Sequence, residues 1–79
     1  MAIAEMPAAM RVRVSDPALL ENLQRYLRAA DCVVEQAGAD ALDVAVARAP
    51  SDEQARREVD IYLKAWQAMN PGARTELIA

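Results

Sequence analysis

Histidine and phenylalanine are absent from this chain of 79 residues, and cysteine occurs once. Without histidine, the side chain that most often serves as general base or metal ligand is missing. The single Cys32 forms neither an internal disulfide nor a Cys-x-x-Cys pair, which fits a reducing compartment. We therefore expect no enzymatic activity, no bound metal and no cofactor.

Long apolar runs and an excess of positive charge are also missing. No stretch approaches the roughly 20 apolar residues of a membrane span, and the N-terminus lacks the basic and apolar regions of a secretory signal. The formal net charge is −3, which disfavours non-specific binding to nucleic acid or anionic membrane. We expect a cytoplasmic protein with no nucleic-acid or membrane partner.

Large core-forming side chains are few, since aromatic residues make up only 4% of the chain. A domain of this length buries only about 60% of its unfolded surface. Its stability is therefore expected to be modest unless it oligomerises.

What the chain does contain is a regular change of hydrophobic period. Segments with the two-residue period of strands alternate with segments of the 3.6-residue period of helices. The strand-like segments are Met10–Ser15, Cys32–Gln36, Leu42–Ala47 and Arg74–Ile78, and the helix-like segments are Pro17–Ala30 and Asp52–Met69. This order predicts a single βαββαβ domain over residues 10–79, preceded by a flexible tail over residues 1–9.

Helix-start signals stand at the beginning of both helical segments. Asp16 followed by Pro17 suits an N-cap and the first helical position, and Ser51 with Gln54 forms a capping box. The second segment carries an apolar stripe that predicts its core-facing side: Ala55, Val59, Tyr62, Leu63, Trp66 and Met69. Tyr62 and Trp66 are interpreted as core residues rather than as the lining of a pocket.

This element order is similar to that of ferredoxin-like α+β sandwiches. The resemblance implies a four-stranded antiparallel sheet of order 4-1-3-2 with both helices on one face. The main alternative is a βαββα unit in which Arg74–Ile78 is disordered or pairs with another chain.

The predicted alternation assigns residues to the open face of the sheet. In the second strand we favour Cys32 and Val34 inward, with Val33 and Glu35 outward. Arg11 and Arg13 then lie outward on a central strand, beside strands that carry Asp43 and Glu76. We interpret the arginines as members of cross-strand charge pairs rather than as an anion site.

The remaining motifs do not favour RNA binding, metal binding or catalysis. The predicted open face offers no aromatic side chain on which RNA bases could stack. The first loop, Ser15-Asp16-Pro17, lacks the paired cysteines of heavy-metal-binding relatives of this fold and the arginine-containing anion loop of acylphosphatases. Two pairs of carboxylates could suggest acid–base chemistry or metal binding, but each has a structural explanation. Asp40 suits a turn and Asp43 a strand. Asp52 and Glu53 suit the first turn of a helix.

Apolar residues left over on outward faces are the best functional lead. They comprise Val33, Ala45 and Ile78 on the sheet and Ile61, Ala65 and Ala68 on the second helix. Such positions favour an interaction or regulatory module that forms a homodimer or binds a protein partner. The alternative is a small-ligand sensor, because the βαββαβ order also resembles that of ACT-type regulatory domains. That resemblance implies a metabolite site at the first loop or at a dimer interface.

Overall fold

The first strand, β1 (Met10–Val14), forms where apolar and basic residues alternate. In the computed structural model, which describes residues 9–78, Met10, Val12 and Val14 are buried and the two intervening arginines are exposed. The strand ends one residue before its predicted end. The predicted flexible tail lies outside the described residues, except for Ala9.

The first helical segment is divided into a 3₁₀ turn (Pro17–Leu19) and the helix α1 (Leu20–Ala29). Asp16 starts the turn as predicted, since its Oδ1 accepts a hydrogen bond from the Ala18 N–H at 3.0 Å. The helix ends where Asp31 adopts a left-handed φ of 69°. The Cys32 N–H then donates to the Leu27 carbonyl at 3.0 Å, which closes a Schellman-type C-terminus.

Strands β2 (Val33–Gln36) and β3 (Ala41–Ala45) form the predicted hairpin. Compared with the prediction, β2 begins one residue later, and β3 begins one residue earlier and ends two residues earlier. The inward register is confirmed, because Cys32 and Val34 are each 7% exposed whereas Val33 is 41% exposed.

The second helix, α2 (Asp52–Met69), has both predicted ends. The Ser51 Oγ accepts a hydrogen bond from the Gln54 N–H at 3.1 Å, which caps the helix. Trp66 is buried as predicted, and its indole N–H donates to the Asn22 Oδ1 of α1 at 2.9 Å. The prediction that Met69 lies in the core is wrong, because this last residue of the helix is 60% exposed.

The last strand, β4 (Thr75–Ile78), pairs with β1 and completes an antiparallel sheet of order β2-β3-β1-β4. The predicted ferredoxin-like α+β sandwich is therefore confirmed, and the alternative in which this segment is left out of its own sheet is wrong. One core joins both helices to the sheet. Its largest fully buried side chains are Trp66, Leu23, Leu27, Leu42, Val12, Val14, Val44 and Val59.

Candidate functional site

The exposed face of α2 carries a strip of apolar residues, and we call Ile61, Ala65, Ala68 and Met69 the α2 strip. Ile61 is 58% exposed, and both alanines are also exposed. Three of these residues were expected to face outward, and Met69 extends the strip by one residue. Large apolar side chains at this exposure are often protein contacts, although single ones are also common on monomers.

The open face of the sheet is less apolar than the sequence predicted. Val33 is exposed and Ile78 is half-buried, but Ala45 is fully buried and contributes no accessible surface. Ala45 lies on an interior strand directly opposite Val33, so its short side chain is covered although its strand face is uncovered by helices. Of the three apolar residues expected to be exposed on this face, Val33 is exposed, Ile78 is partly exposed and Ala45 is buried.

Charged side chains lie at the centre of that open face. The Arg11 Nε donates to the Asp43 Oδ1 at 3.0 Å across β1 and β3, as the predicted charge pairing requires. This hydrogen bond, together with the carboxylate charge, raises the pKa of Arg11. Arg13 faces Glu76 in the strand register, yet its ion pair is with Asp40 of the hairpin, at 3.8 Å. The central arginines therefore have protein partners, and a packed sheet-on-sheet contact at this point would bury their charge.

The free edge of β2 is protected by an arginine. The Ala37 N–H donates to the Ala41 carbonyl at 2.8 Å, and hydrogen-bonded pairs alternate along an antiparallel ladder. Val34 and Gln36 consequently direct their backbone groups away from β3, towards the outer edge. The Arg28 Nη2 of α1 donates to the Val34 carbonyl at 3.2 Å. A cationic side chain at an edge is a common protection against strand addition.

The free edge of β4, like that of β2, has a side-chain hydrogen bond at one of its two outward-facing residues, and here the partner is uncharged. The Ser15 N–H donates to the Arg74 carbonyl at 2.8 Å, so the alternation directs the backbone groups of Thr75 and Leu77 outward. The Thr75 N–H contacts the Gln67 Oε1 at 3.4 Å. Within residues 9–78, no hydrogen bond is found for the outward groups of Leu77.

An open hollow of about 440 Å³ lies beside Leu77 at this edge. Its other lining residues come from the adjoining side of α2 and carry both signs of charge: Glu53, Arg56, Arg57 and Asp60. The β4 edge thus combines unpaired backbone groups with space for an additional side chain. Sequence periodicity missed this feature, because the two-residue period does not tell which backbone groups face a neighbouring strand.

A second depression of about 550 Å³ separates α1 from the β2–β3 hairpin. We call it the α1 groove, and its polar lining includes Glu21, Gln24, Arg25, Arg28 and Gln36. It begins at the first loop, where the resemblance to ACT-type domains implied a ligand. The side chains are partly engaged: Arg25 lies 3.6 Å from Glu21, and Gln36 donates to the Gly38 carbonyl at 3.0 Å.

Cys32 has the character of a core residue rather than of a nucleophile. Burial raises the pKa of its thiol to about 11, and the nearby carboxylates of Glu58 and Asp31 act in the same direction. The thiolate that would attack an electrophile is therefore scarce at neutral pH. Burial also raises the pKa of Tyr62, with a further contribution from the charge of Cys32.

The described part of the chain holds neither a metal-binding cluster nor a membrane-spanning helix. Residues 9–78 contain no group of three or more His, Cys, Asp or Glu side chains placed to hold a metal ion. Neither of their helices is sufficiently long and apolar to cross a bilayer.

Comparison with known proteins gave no relative. No family model, no curated protein sequence and no solved structure matches this chain.

Proposed function

We propose that this protein is a small non-catalytic interaction module that associates with a second copy of itself. The observation that carries the proposal is the difference between its two sheet edges. Each edge has a side-chain hydrogen bond at one of its two outward-facing residues, but the partner at Val34 of β2 is the charged guanidinium of Arg28, whereas at Thr75 of β4 it is the neutral amide of Gln67. Within residues 9–78, the outward groups of Leu77 have no hydrogen bond and lie beside an open hollow. An exposed strand edge is a template for pairing with another chain.

Because the hydrophobic core is thin, association with a second copy would stabilise the folded state. Small domains gain stability from oligomerisation, because a single core of this size contributes only a few kcal/mol. The α2 strip offers a separate contact for a different protein, since the strip faces solvent and the hollow lies on the side of α2 next to β4. The single buried cysteine is consistent with a cytoplasmic module.

The oligomeric state tests this proposal directly. We expect sedimentation equilibrium of the full chain to show a monomer–dimer equilibrium with a midpoint at micromolar concentration. A weight-average mass that remains at 8.6 kDa up to millimolar protein would contradict self-association. Ile61→Glu, on the α2 strip, is the matched surface variant and should leave the dimer unchanged if the β4 edge forms the contact.

The second candidate function is a small-ligand sensor, and the α1 groove is the observation that favours it. Its volume lies within the range of small-molecule sites, and the guanidinium groups of Arg25 and Arg28 suit a carboxylate. A thermal-shift screen of amino acids and nucleotides tests this function. A hit whose shift is lost in Arg25→Ala would support the sensor, and the absence of any hit would count against it.

A further inference from the structure

We propose that two copies join through their β4 strands in an antiparallel arrangement, with the twofold axis passing through the pair formed by Leu77 and its copy in the second chain. This inference rests on the proposed self-association and specifies its geometry. It places the backbone groups of Leu77 opposite those of the same residue in the other copy. The two sheets would become one sheet of eight strands.

The direction of the backbone groups limits the possible registers. Hydrogen bonds across the new edge require outward-facing residues, which on β4 are Thr75 and Leu77. A symmetric antiparallel pair can therefore be centred on Leu77, be centred on Thr75, or match Thr75 of one copy with Leu77 of the other. All three registers keep the helices of the two copies on the same side of the sheet. The register centred on Thr75 is disfavoured, because its central hydrogen bonds would use the Thr75 N–H that already contacts the Gln67 Oε1, and two registers are left.

The charge of Glu76 distinguishes these two registers. Pairing Thr75 with Leu77 would set the two Glu76 side chains directly opposite each other on the open face, and like charges in that position are destabilising. Centring the pair on Leu77 instead places each Glu76 opposite Ile78 of the other copy. Charge therefore favours the register centred on Leu77.

The hollow beside β4 accommodates this register. Leu77 alternates with Glu76 and Ile78, so its side chain is directed to the helix-covered face, where it packs against the core. The side chain of the second Leu77 would lie next to it, at the position of the hollow. The surrounding Glu53, Arg56, Arg57 and Asp60 carry both signs of charge, which a second copy of the same helix can match.

The β2 edge does not offer the same contact. Its outward carbonyl at Val34 already accepts a hydrogen bond from Arg28. A strand added there would have to displace that guanidinium. The second copy is therefore directed to β4 rather than to β2.

Hydrogen exchange of individual amides tests the contact without changing the sequence. In wild-type protein, we expect protection of the Leu77 N–H to rise at least tenfold between concentrations at which monomer and dimer predominate. The Glu76 N–H, which faces β1, is the internal control and should change far less. Dimer formation without added protection at Leu77 would overturn this geometry and leave self-association standing, whereas a monomer at all concentrations would overturn both proposals.

Charge at residue 78 tests the register. In the Leu77-centred dimer, Ile78→Lys places two lysines opposite the Glu76 side chains and should tighten dimerisation by about 2- to 30-fold. Ile78→Glu should weaken it by a similar factor. Loss of dimerisation in Ile61→Glu, with no response to either change at residue 78, would move the interface to the α2 strip and overturn the β4 contact.

These variants also separate the interface from fold stability. Within one chain, Ile78 stands opposite Arg11. A glutamate there adds an opposite charge next to Arg11, and a lysine adds a like charge. If dimerisation merely followed the stability of the fold, Ile78→Glu would form the tighter dimer, and that order would overturn the proposed register.

Discussion

The end of α1 depends on a residue that adopts an unfavourable backbone conformation. Asp31 is the one non-glycine residue with positive φ in residues 9–78. In this region an L-residue brings its Cβ close to the carbonyl oxygen that follows, and aspartate tolerates that better than most residues. Both hydrogen bonds of the helix C-terminus depend on it, from the Asp31 N–H to Arg28 and from the Cys32 N–H to Leu27.

Replacing this aspartate with glycine should stabilise the protein. We expect Asp31→Gly to raise the free energy of unfolding by about 0.5 kcal/mol, because the relief of strain exceeds the added entropy of the unfolded chain. Gly72, with φ of 93° and open space where a side chain would begin, is the matched control. Gly72→Ala should lose about 1 kcal/mol in urea denaturation, and a loss of stability in both variants would contradict this account.

Cys32 gives the fold a dependence on alkaline pH. Its thiol has a pKa of about 11 in the folded protein, above the value near 8.5 of an unfolded chain. Between these values the folded state retains a proton that the unfolded state has lost. Stability contributed by this group is therefore complete below about pH 8.5 and decreases as the pH rises towards 11.

A conservative substitution isolates that contribution. We expect wild-type protein to lose about 2 kcal/mol of unfolding free energy more than Cys32→Ala between pH 7.5 and pH 10.5. Urea denaturation of both proteins at the two pH values measures the difference. Because the charge of Cys32 also contributes to the raised pKa of Tyr62, the comparison is repeated in a Tyr62→Phe background. An equal pH dependence of the two proteins would show that burial of the thiol contributes nothing.

At the scale of whole elements, the sequence predicts where helices and strands lie along the chain better than it predicts which of their side chains are buried. Alternation of Val12 and Val14 with arginines gave β1 its inward face, and Ser51 marked the start of α2, because both signals are local. Ala45 was placed on the correct strand, yet its burial depends on neighbours in other strands. Met69 continued the apolar period, but at the last residue of the helix it is left exposed.

The sheet edges were beyond the reach of sequence pattern for a different reason. Which backbone groups of an edge strand face outward depends on strand order and register together. The bonds from Arg28 to Val34 and from Thr75 to Gln67 join residues only six and eight positions apart. Their significance becomes apparent only when β2 and β4 are known to be the outer strands.

Removing the protection of the β2 edge should promote strand addition at that edge. We expect Arg28→Ala to change stability by less than about 1 kcal/mol, since a partly exposed hydrogen bond contributes little. Light scattering should nevertheless show higher-order assemblies that the wild type does not form, because both edges would then be available. Arg25→Ala, one turn earlier on α1, removes only a surface ion pair and should scatter like the wild type. Identical scattering of the two variants would contradict a protective role for Arg28.

At the scale of the whole molecule, association and stability become linked. In a chain of 79 residues, the free energy gained by burying apolar surface exceeds the cost in conformational entropy by only a small margin. A partner that binds only the folded state adds to that margin in proportion to the logarithm of its concentration. A chain whose β4 edge binds a second copy would therefore be more stable where it is more abundant.

This linkage predicts a concentration-dependent unfolding temperature. For a hundredfold rise in protein concentration across the range in which the dimer predominates, we expect the wild-type midpoint to rise by roughly 5–10 °C. Ile78→Lys should keep this dependence down to lower protein concentrations than the wild type, and Ile78→Glu should show it only at higher concentrations. Differential scanning calorimetry at matched scan rates measures all three proteins. A wild-type unfolding midpoint that is independent of concentration would contradict stabilisation by a second copy. In that case the short length of β4, with four residues, would be what keeps its free edge from pairing.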